Sequence, residues 1–285
     1  MSASELILNP DGSVYHLGLR PEHVAPLVVT VGDPDRVAAV SAHFDVIDFR
    51  QNRREFRTHV GRFAGRPITC ISTGIGTDNV DIVLNELDAL VNVDLRSGEP
   101  LSRKQSLTLV RLGTSGTFQA DIPVDTVLVS EAAVGLDGLG PSYDFGEHVA
   151  AEHMRRAYGA FAAGVYAAEA HPGLLEAWRR RHPRHASGTT LTCAGFYGPQ
   201  RRSIRLPFRG PSLADLAGLR FGDGGRLTNF EMETAGIYGL ARLLGHRALS
   251  VSAILANRAT GEFSARPAET VDRLIASFFS VAGSM

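Results

Sequence analysis

Short apolar runs of strand length alternate with helical apolar patterns along almost the whole chain, and this alternation constrains the fold more than any single motif. PLVVTVG (26–32) reads as a strand, and Pro34 suits the first turn of a helix over 34–42, where a missing N–H costs nothing. REFRTHVGRF and PITCIST read as extended segments on either side of the turn pair Ala64-Gly65. Between Thr77 and Val91, the residues Val80, Val83, Leu84, Leu87, Leu90 and Val91 recur at three- and four-residue spacing. That spacing predicts an amphipathic helix with Thr77 as its N-cap. LTLVRLGT (107–114) and DTVLVSEAAV read as strands, 150–169 and 173–182 as helices, and ASGTTLTCAGFYG as a further strand. A helix is expected from about Glu231, a strand over 247–258 and a closing helix over 266–282. Strands alternating with helices cover both faces of a sheet, so the expected class is α/β, with a single domain spanning 1–285. No Pro-, Gly- or Ser-rich linker divides it, and DLRSGEPLSRKQ (94–105) reads as a polar surface loop.

Charge excludes some partners. The 29 basic and 30 acidic side chains leave a formal net charge of −1, too little positive excess for a general nucleic-acid or acidic-membrane binder. Lys104 is the single lysine, so any anion site beyond it must be built from arginine forks. Cys70 and Cys193 sit in strand-like runs and make no disulfide framework, which fits a reducing compartment. No apolar run approaches membrane-spanning length, and the N-terminus lacks a basic segment followed by an apolar one. The expectation is a cytoplasmic protein with neither nucleic acid nor membrane as partner.

Five segments carry chemistry. Gly32-Asp33-Pro34-Asp35-Arg36 stands at a strand-to-helix junction, where free N–H groups and the Arg36 fork could meet an anion. Arg111-Leu112-Gly113-Thr114-Ser115-Gly116 ends a strand, where ligands gather in α/β sheets, and lacks the lysine of a nucleotide P-loop. In Asn229-Phe230-Glu231-Met232-Glu233-Thr234, one glutamate could bond a diol while Met232 packs an apolar sugar face; acids in a first helical turn are the plainer alternative. Phe196 to Arg202 supplies an aromatic ring, the Gln200 amide that matches an imide edge, and an arginine. Asn257-Arg258 closes a strand.

Taken together, these segments resemble the nucleoside phosphorylases, and within them the uridine-acting members. The likeness runs from Val14-Tyr15-His16-Leu17-Gly18-Leu19 to about Glu262 and rests on G-D-P-D-R, R-E-F, S-T-G-I-G, R-L-G-T-S-G and N-F-E-M-E-T in the family's order. The resemblance implies a three-layer αβα fold with a central mixed sheet flanked by helices. It implies phosphate held by Gly32, Arg36, Arg111 and Thr114, with Arg54 reaching in from a neighbouring subunit. Ribose would be held by Thr114, Met232 and Glu233, supported by Glu231, with the neighbour's His16 near the 5′-hydroxyl. The base would stack on Phe196 and bond Gln200, Arg202 and Arg258. Arg111, Thr114, Glu233 and Arg202 would then carry catalysis.

Purine-acting relatives carry an aspartate near the end of the strand occupied here by Ala256-Asn257-Arg258, so Asn257 favours pyrimidine. Some relatives hold potassium through Glu, Ile and Ser; Glu55 and Ile75 match, whereas Asn79 replaces the serine and counts against an ion. The expected reaction is phosphorolysis of uridine, with deoxyuridine or thymidine as further substrates, and inorganic phosphate as co-substrate without a cofactor. A purine nucleoside phosphorylase, a water-using nucleosidase and a non-catalytic nucleoside-binding protein are the alternatives. The family also implies a dimer with shared active sites, assembled further as a hexamer.

Overall fold

The computed structural model describes residues 4–222, 224–283 and 285. Chain order is β1 (Leu27–Val31), α1 (Pro34–Ser41), β2 (Val46–Arg53), β3 (Phe56–Phe63), β4 (Arg66–Ser72), α2 (Thr77–Asn92), β5 (Val93–Asp94), β6 (Glu99–Pro100) and β7 (Thr108–Thr117). It continues with β8 (Val127–Leu136), α3 (Val149–Tyr158), β9 (Tyr166–Glu169), α4 (Pro172–Arg181), β10 (Ala186–Cys193), α5 (Leu213–Gly218), β11 (Arg220–Phe221) and β12 (Gly225–Glu231). The chain closes with α6 (Thr234–Leu244), β13 (Arg247–Asn257), β14 (Glu262–Phe263) and α7 (Pro267–Ala282).

The apolar runs without helical period became strands covered on both faces. In β1, Val28, Val29 and Val31 are fully buried, as a central strand between helical layers requires. The sheet has twelve strands, in the order β11-β12-β10-β8-β13-β7-β1-β4-β3-β2, with β9 on β8 and β14 on β13. Pairing is mixed: β1 runs parallel to β4 and β7, and β13 parallel to β7 but antiparallel to β8. An additional antiparallel pairing of β12 with β7 closes β7-β13-β8-β10-β12 into a ring. That closure places the strands bearing Arg111 and Glu231 side by side. Helices flank the sheet, with α6 against β8 and β13, α1 against β3 and β4, and α7 against β13. Trp178, Tyr238, Phe56, Phe230 and Phe278 are the bulkiest fully covered side chains, each worth roughly 1.5–3 kcal/mol of burial. The Tyr238 hydroxyl escapes a desolvation penalty by donating to Ser130 O and accepting from Ser250 N, both at 2.7 Å. Among the described residues no helix is long and apolar enough to cross a membrane.

Several expected boundaries differ. The N-cap of α2 is Gly76, not Thr77: it has φ 99°, a left-handed region open to glycine, and Thr77 is the buried first helical residue. The expected helix over 150–169 ends at Tyr158, and Tyr166–Glu169 pairs antiparallel with β8. Apolar small residues in that stretch fit either state, and the open edge of β8 decides. No helix begins at Glu231: Gly225–Glu231 is a strand, and α6 starts at Thr234. β7 runs on through Gly-Thr-Ser-Gly to Thr117, because β12 and β13 supply partners for it. The strand read as ASGTTLTCAGFYG stops at Cys193, leaving Phe196 and Tyr197 in a loop. β2, with its alternating exposure, was not foreseen. Residues 94–105 form the expected exposed excursion, pinned by the short β5–β6 ladder.

Candidate active site

The carboxyl ends of β1, β7, β12 and β13 surround a cavity of about 1140 Å³. Brought to its wall are Gly32 and Arg36 after β1, Arg111 and Thr114 on β7, Glu231 at the end of β12 with Met232 and Glu233 after it, and Arg258 after β13. The loop following β10 contributes Phe196, Gln200 and Arg202. Five sequence-distant segments thus converge where α/β sheets bind ligands.

The charge at the cavity floor is ordered around Arg111. This guanidinium is buried and donates from Nη2 to Glu233 Oε2 at 2.5 Å and from Nη1 to Ser252 Oγ at 3.2 Å. Its Nη2 also lies 3.2 Å from Glu231 Oε2. The room comes from Gly113, two residues along the same strand face: a Cβ there would stand 1.9 Å from Arg111 Nη1. Burial works against the charged form, but Glu231 and Glu233 outweigh it and hold the Arg111 pKa above its ordinary value. Glu233 is also buried. Desolvation pushes its carboxyl pKa upward, Arg111 opposes, and the neighbouring Glu231 adds to the rise. Its second oxygen accepts the Gly76 N–H at 2.8 Å, which ties Glu233 to the turn that opens α2.

Glu231 does different work. Oε2 accepts from Glu233 N, Thr234 N and Thr234 Oγ1 at 2.8–2.9 Å, and Oε1 accepts from Thr192 Oγ1 at 2.5 Å. It therefore caps α6 and fixes Glu233, although it also borders the cavity. Arg36 is the contrast. Among the described residues its one side-chain bond goes to Leu112 O at 3.3 Å, and it has no ion pair. Burial, then Arg111, lowers its pKa, so two cations share a wall while only one is matched by carboxylates.

The base-side loop is bound to itself. Arg202 Nη1 donates to Phe196 O at 2.7 Å and to Gln200 Oε1 at 2.8 Å, and its guanidinium lies 3.8 Å from the Phe196 ring centroid. Burial and then Arg258 push its pKa down to about 10. Arg258 borders the cavity, but its Nη1 and Nη2 donate to Gln200 O and Arg201 O, at 3.0 and 3.1 Å. Asn257 is buried and fully engaged: its amide donates to Gln119 O and Ile122 O, and its carbonyl accepts from Ala259 N and Thr260 N.

His16 and Arg54 do not border the cavity of their own chain. His16 Nδ1 lies 2.6 Å from Glu86 Oε1, which also accepts His16 N, while Oε2 accepts Leu17 N. Glu86 was missed from sequence because it occupies an ordinary polar position of α2. Arg54 is exposed in the left-handed region, φ 55°, with its guanidinium 5.5 Å from the Tyr15 ring centroid. Glu55, Ile75 and Asn79 all border the cavity, and Asn79 Nδ2 faces Ile75 O at 3.5 Å. An N–H thus points at the carbonyl that would ligate a cation. Among the described residues no cluster of three or more His, Cys, Asp or Glu could hold a metal.

Comparison with known proteins identifies the family. The family model described as Phosphorylase superfamily matches residues 26–282. A uridine phosphorylase of Thermococcus kodakarensis is 33% identical over 270 residues, covering 94% of this chain and 85% of that protein. A uridine phosphorylase of Haemophilus influenzae is 28% identical over 252 residues, 87% of this chain and 88% of the other. Among solved structures, a Trypanosoma brucei nucleoside phosphorylase described as showing uridine phosphorylase activity superposes with a TM-score of 0.88 at 27% identity. That match covers 98% of this chain and all of the other. The motifs, the mixed sheet with its helical layers and the family match lead to one conclusion: the chain belongs to the phosphorylase superfamily.

Proposed function

We propose that the protein catalyses the phosphorolysis of uridine, with inorganic phosphate as co-substrate, to uracil and ribose 1-phosphate. The observation that carries this reading is Arg36: a largely buried guanidinium without a carboxylate partner, next to Arg111, in the cavity that also holds Met232, Glu233 and the Phe196–Arg202 loop. Such a cation calls for an anion, and a phosphate dianion met by Arg36, Arg111, Gly32 N–H and Thr114 satisfies it. The relatives named uridine phosphorylase support the nucleoside as second substrate.

In this mechanism a phosphate oxygen attacks the anomeric carbon as the glycosidic bond breaks. The bonding pair leaves with the base nitrogen, so uracil departs as an anion while the sugar passes through an oxocarbenium-like state. Phosphate charge beneath the ring and Glu233 on the ribose diol stabilise the sugar, and Gln200 and Arg202 stabilise the base. Arg202 must leave the face of Phe196 for a base to stack there. Arg258 contributes by holding this loop in shape, so its part in base binding is indirect. Asn257, neutral and committed on both amide atoms, has no acid to offer a purine, which supports a pyrimidine over a purine substrate. Phosphate chemistry without a cofactor fits the donor set, and the two free buried thiols fit a reducing, cytoplasmic setting. The outlying positions of His16 and Arg54 support a dimer in which each subunit completes its neighbour's site.

The test is base release from uridine and from inosine, with and without phosphate, together with detection of ribose 1-phosphate. Phosphate-dependent turnover, faster on uridine, is expected. Phosphate-independent release would sink the reading, and a preference for inosine would sink the pyrimidine assignment. Arg202→Ala is expected to lower kcat by about 10²–10³, the usual effect of losing one preorganised donor.

A further inference from the structure

A second cavity, of about 540 Å³, lies across the same loop from the first. Phe196, Gln200 and Arg202 face the large cavity, whereas Gly198, Pro199 and Arg201 border the small one. The floor of the small cavity includes Cys193 at the carboxyl end of β10. Its volume suits a small organic ligand, for which pockets run roughly 300–1,000 Å³, and among the described residues no acidic side chain borders it.

Arg201 is the unusual member of this wall. It is 4% exposed, yet among the described residues no carboxylate acts on it. Nη1 donates to Arg209 O at 2.5 Å, and Nε has no acceptor among the described residues. Two rings hold the guanidinium, with Phe161 at 4.5 Å and Phe208 at 5.5 Å from centroid to charge. Its backbone is left-handed, φ 63°, which a residue with a Cβ adopts only where the surroundings enforce it. Buried charges are ordinarily paired, and backbone outliers cluster where ligands are held. Here one residue has both features and borders an apolar, aromatic-walled cavity.

We propose that this cavity is a second binding site, for a small flat organic carboxylate, whose anionic end pairs with Arg201 and whose ring packs among Phe161, Phe208 and Pro207. A carboxylate fits better than a phosphate, because a dianion needs donors on several sides and this wall has one buried fork. Such an occupant would sit against the loop that forms the first cavity, since the Arg201 carbonyl is held by Arg258.

The experiment is calorimetric titration of the full chain, saturated with inorganic phosphate, with benzoate and with its neutral analogue benzamide. Benzoate is expected to bind while benzamide binds roughly 30-fold more weakly or not at all, as for loss of a buried charge pair. Arg201→Met is expected to abolish the difference between the two probes, and Phe161→Ala to weaken both. The comparison of probes on the parent chain stands even where a variant fails to fold. Equal binding of the two probes, no binding of benzoate, or displacement of benzoate by phosphate would each overturn the proposal. None of these outcomes depends on uridine turnover, so this site and the proposed reaction can fail separately.

Discussion

Gly113 decides whether Arg111 can lie where it does. The guanidinium folds back over the strand onto Gly113, and the nearest nitrogen would come within 1.9 Å of a new Cβ. Neither backbone can yield, because β7 is paired in register with β13 on that stretch, Gly113 opposite Ser252. Gly113→Ala therefore has to move Arg111 away from Glu233 and Ser252. The expected outcome is a raised KM for phosphate and a fall of about 10²-fold in kcat/KM, as for an ångström-scale misplacement of a catalytic group. Unaltered phosphate kinetics in a folded variant would refute the assignment. Thermal unfolding should also shift down, because a buried pair broken on one side costs about 3–5 kcal/mol. Arg111 itself stood out in the sequence, being an arginine at the end of an apolar strand. Gly113 was legible only as part of the Gly-Thr-Ser-Gly run and Ser252 not at all, since their importance lies in how the Arg111 side chain lies against them. Glu231 was legible as an acid at a helix start, and its threonine and backbone partners choose the capping role over a ligand-binding one.

At the level of elements, the loop between β10 and α5 has little regular structure and is held by side chains. Arg258 is its main tie to β13, through two backbone carbonyls. Arg258→Ala removes two charge-assisted bonds, each worth about 1.5–3 kcal/mol to a buried acceptor. Uridine KM is expected to rise at least roughly tenfold while phosphate KM changes by less than about twofold. Limited proteolysis should cut the loop faster. A parallel rise in both Michaelis constants would instead mean that Arg258 supports the whole site. The reason such ties escaped sequence reading is general: an arginine on a strand end looks alike whether it meets a ligand or a carbonyl. Strand and helix identity was far more legible, since β1, β4, β8, β13, α2 and α7 all follow from apolar period. Among the failures, β9 and β12 are segments whose state is set by an available edge and not by their own pattern.

For the molecule as a whole, a partly buried acid outside the Arg111 cluster links folding to pH. Asp137, just past β8, accepts from Leu139 N and from the Tyr166 hydroxyl at 3.0 and 2.7 Å. Burial nonetheless raises its pKa above the usual 3.8, and Glu231 adds to the rise. A raised carboxyl pKa means that the native state holds the proton more tightly than the unfolded chain. Its stabilising effect is thus complete below the unfolded pKa and is lost as pH climbs through the folded one. Asp137→Asn, which stays neutral, is expected to melt above the parent at about pH 8, with the gap closing towards about pH 4. A gap of the opposite sign would show that the ionised carboxylate is the stabilising form.

Assembly is the other property of the whole molecule. Arg54 and His16 lie off their own cavity, while Glu55, the next residue, borders it. This arrangement makes sense if the edge formed by β2 and β3 presents Arg54 to a neighbour's phosphate. In a two-fold dimer each subunit then donates as it receives. Arg54→Ala damages what a subunit gives, and Arg111→Ala damages what it receives. Each variant alone is expected to be nearly inactive. After unfolding and refolding as an equal mixture, half of the dimers should be mixed, and in each of these one of two sites is whole. That site has an intact Arg111 on the Arg54→Ala chain and an intact Arg54 from the other. Recovery of about a quarter of parental activity is the expected result. No recovery, from a mixture that refolds to the same assembly as the parent by sedimentation, would place Arg54 in its own subunit's chemistry and overturn the shared site.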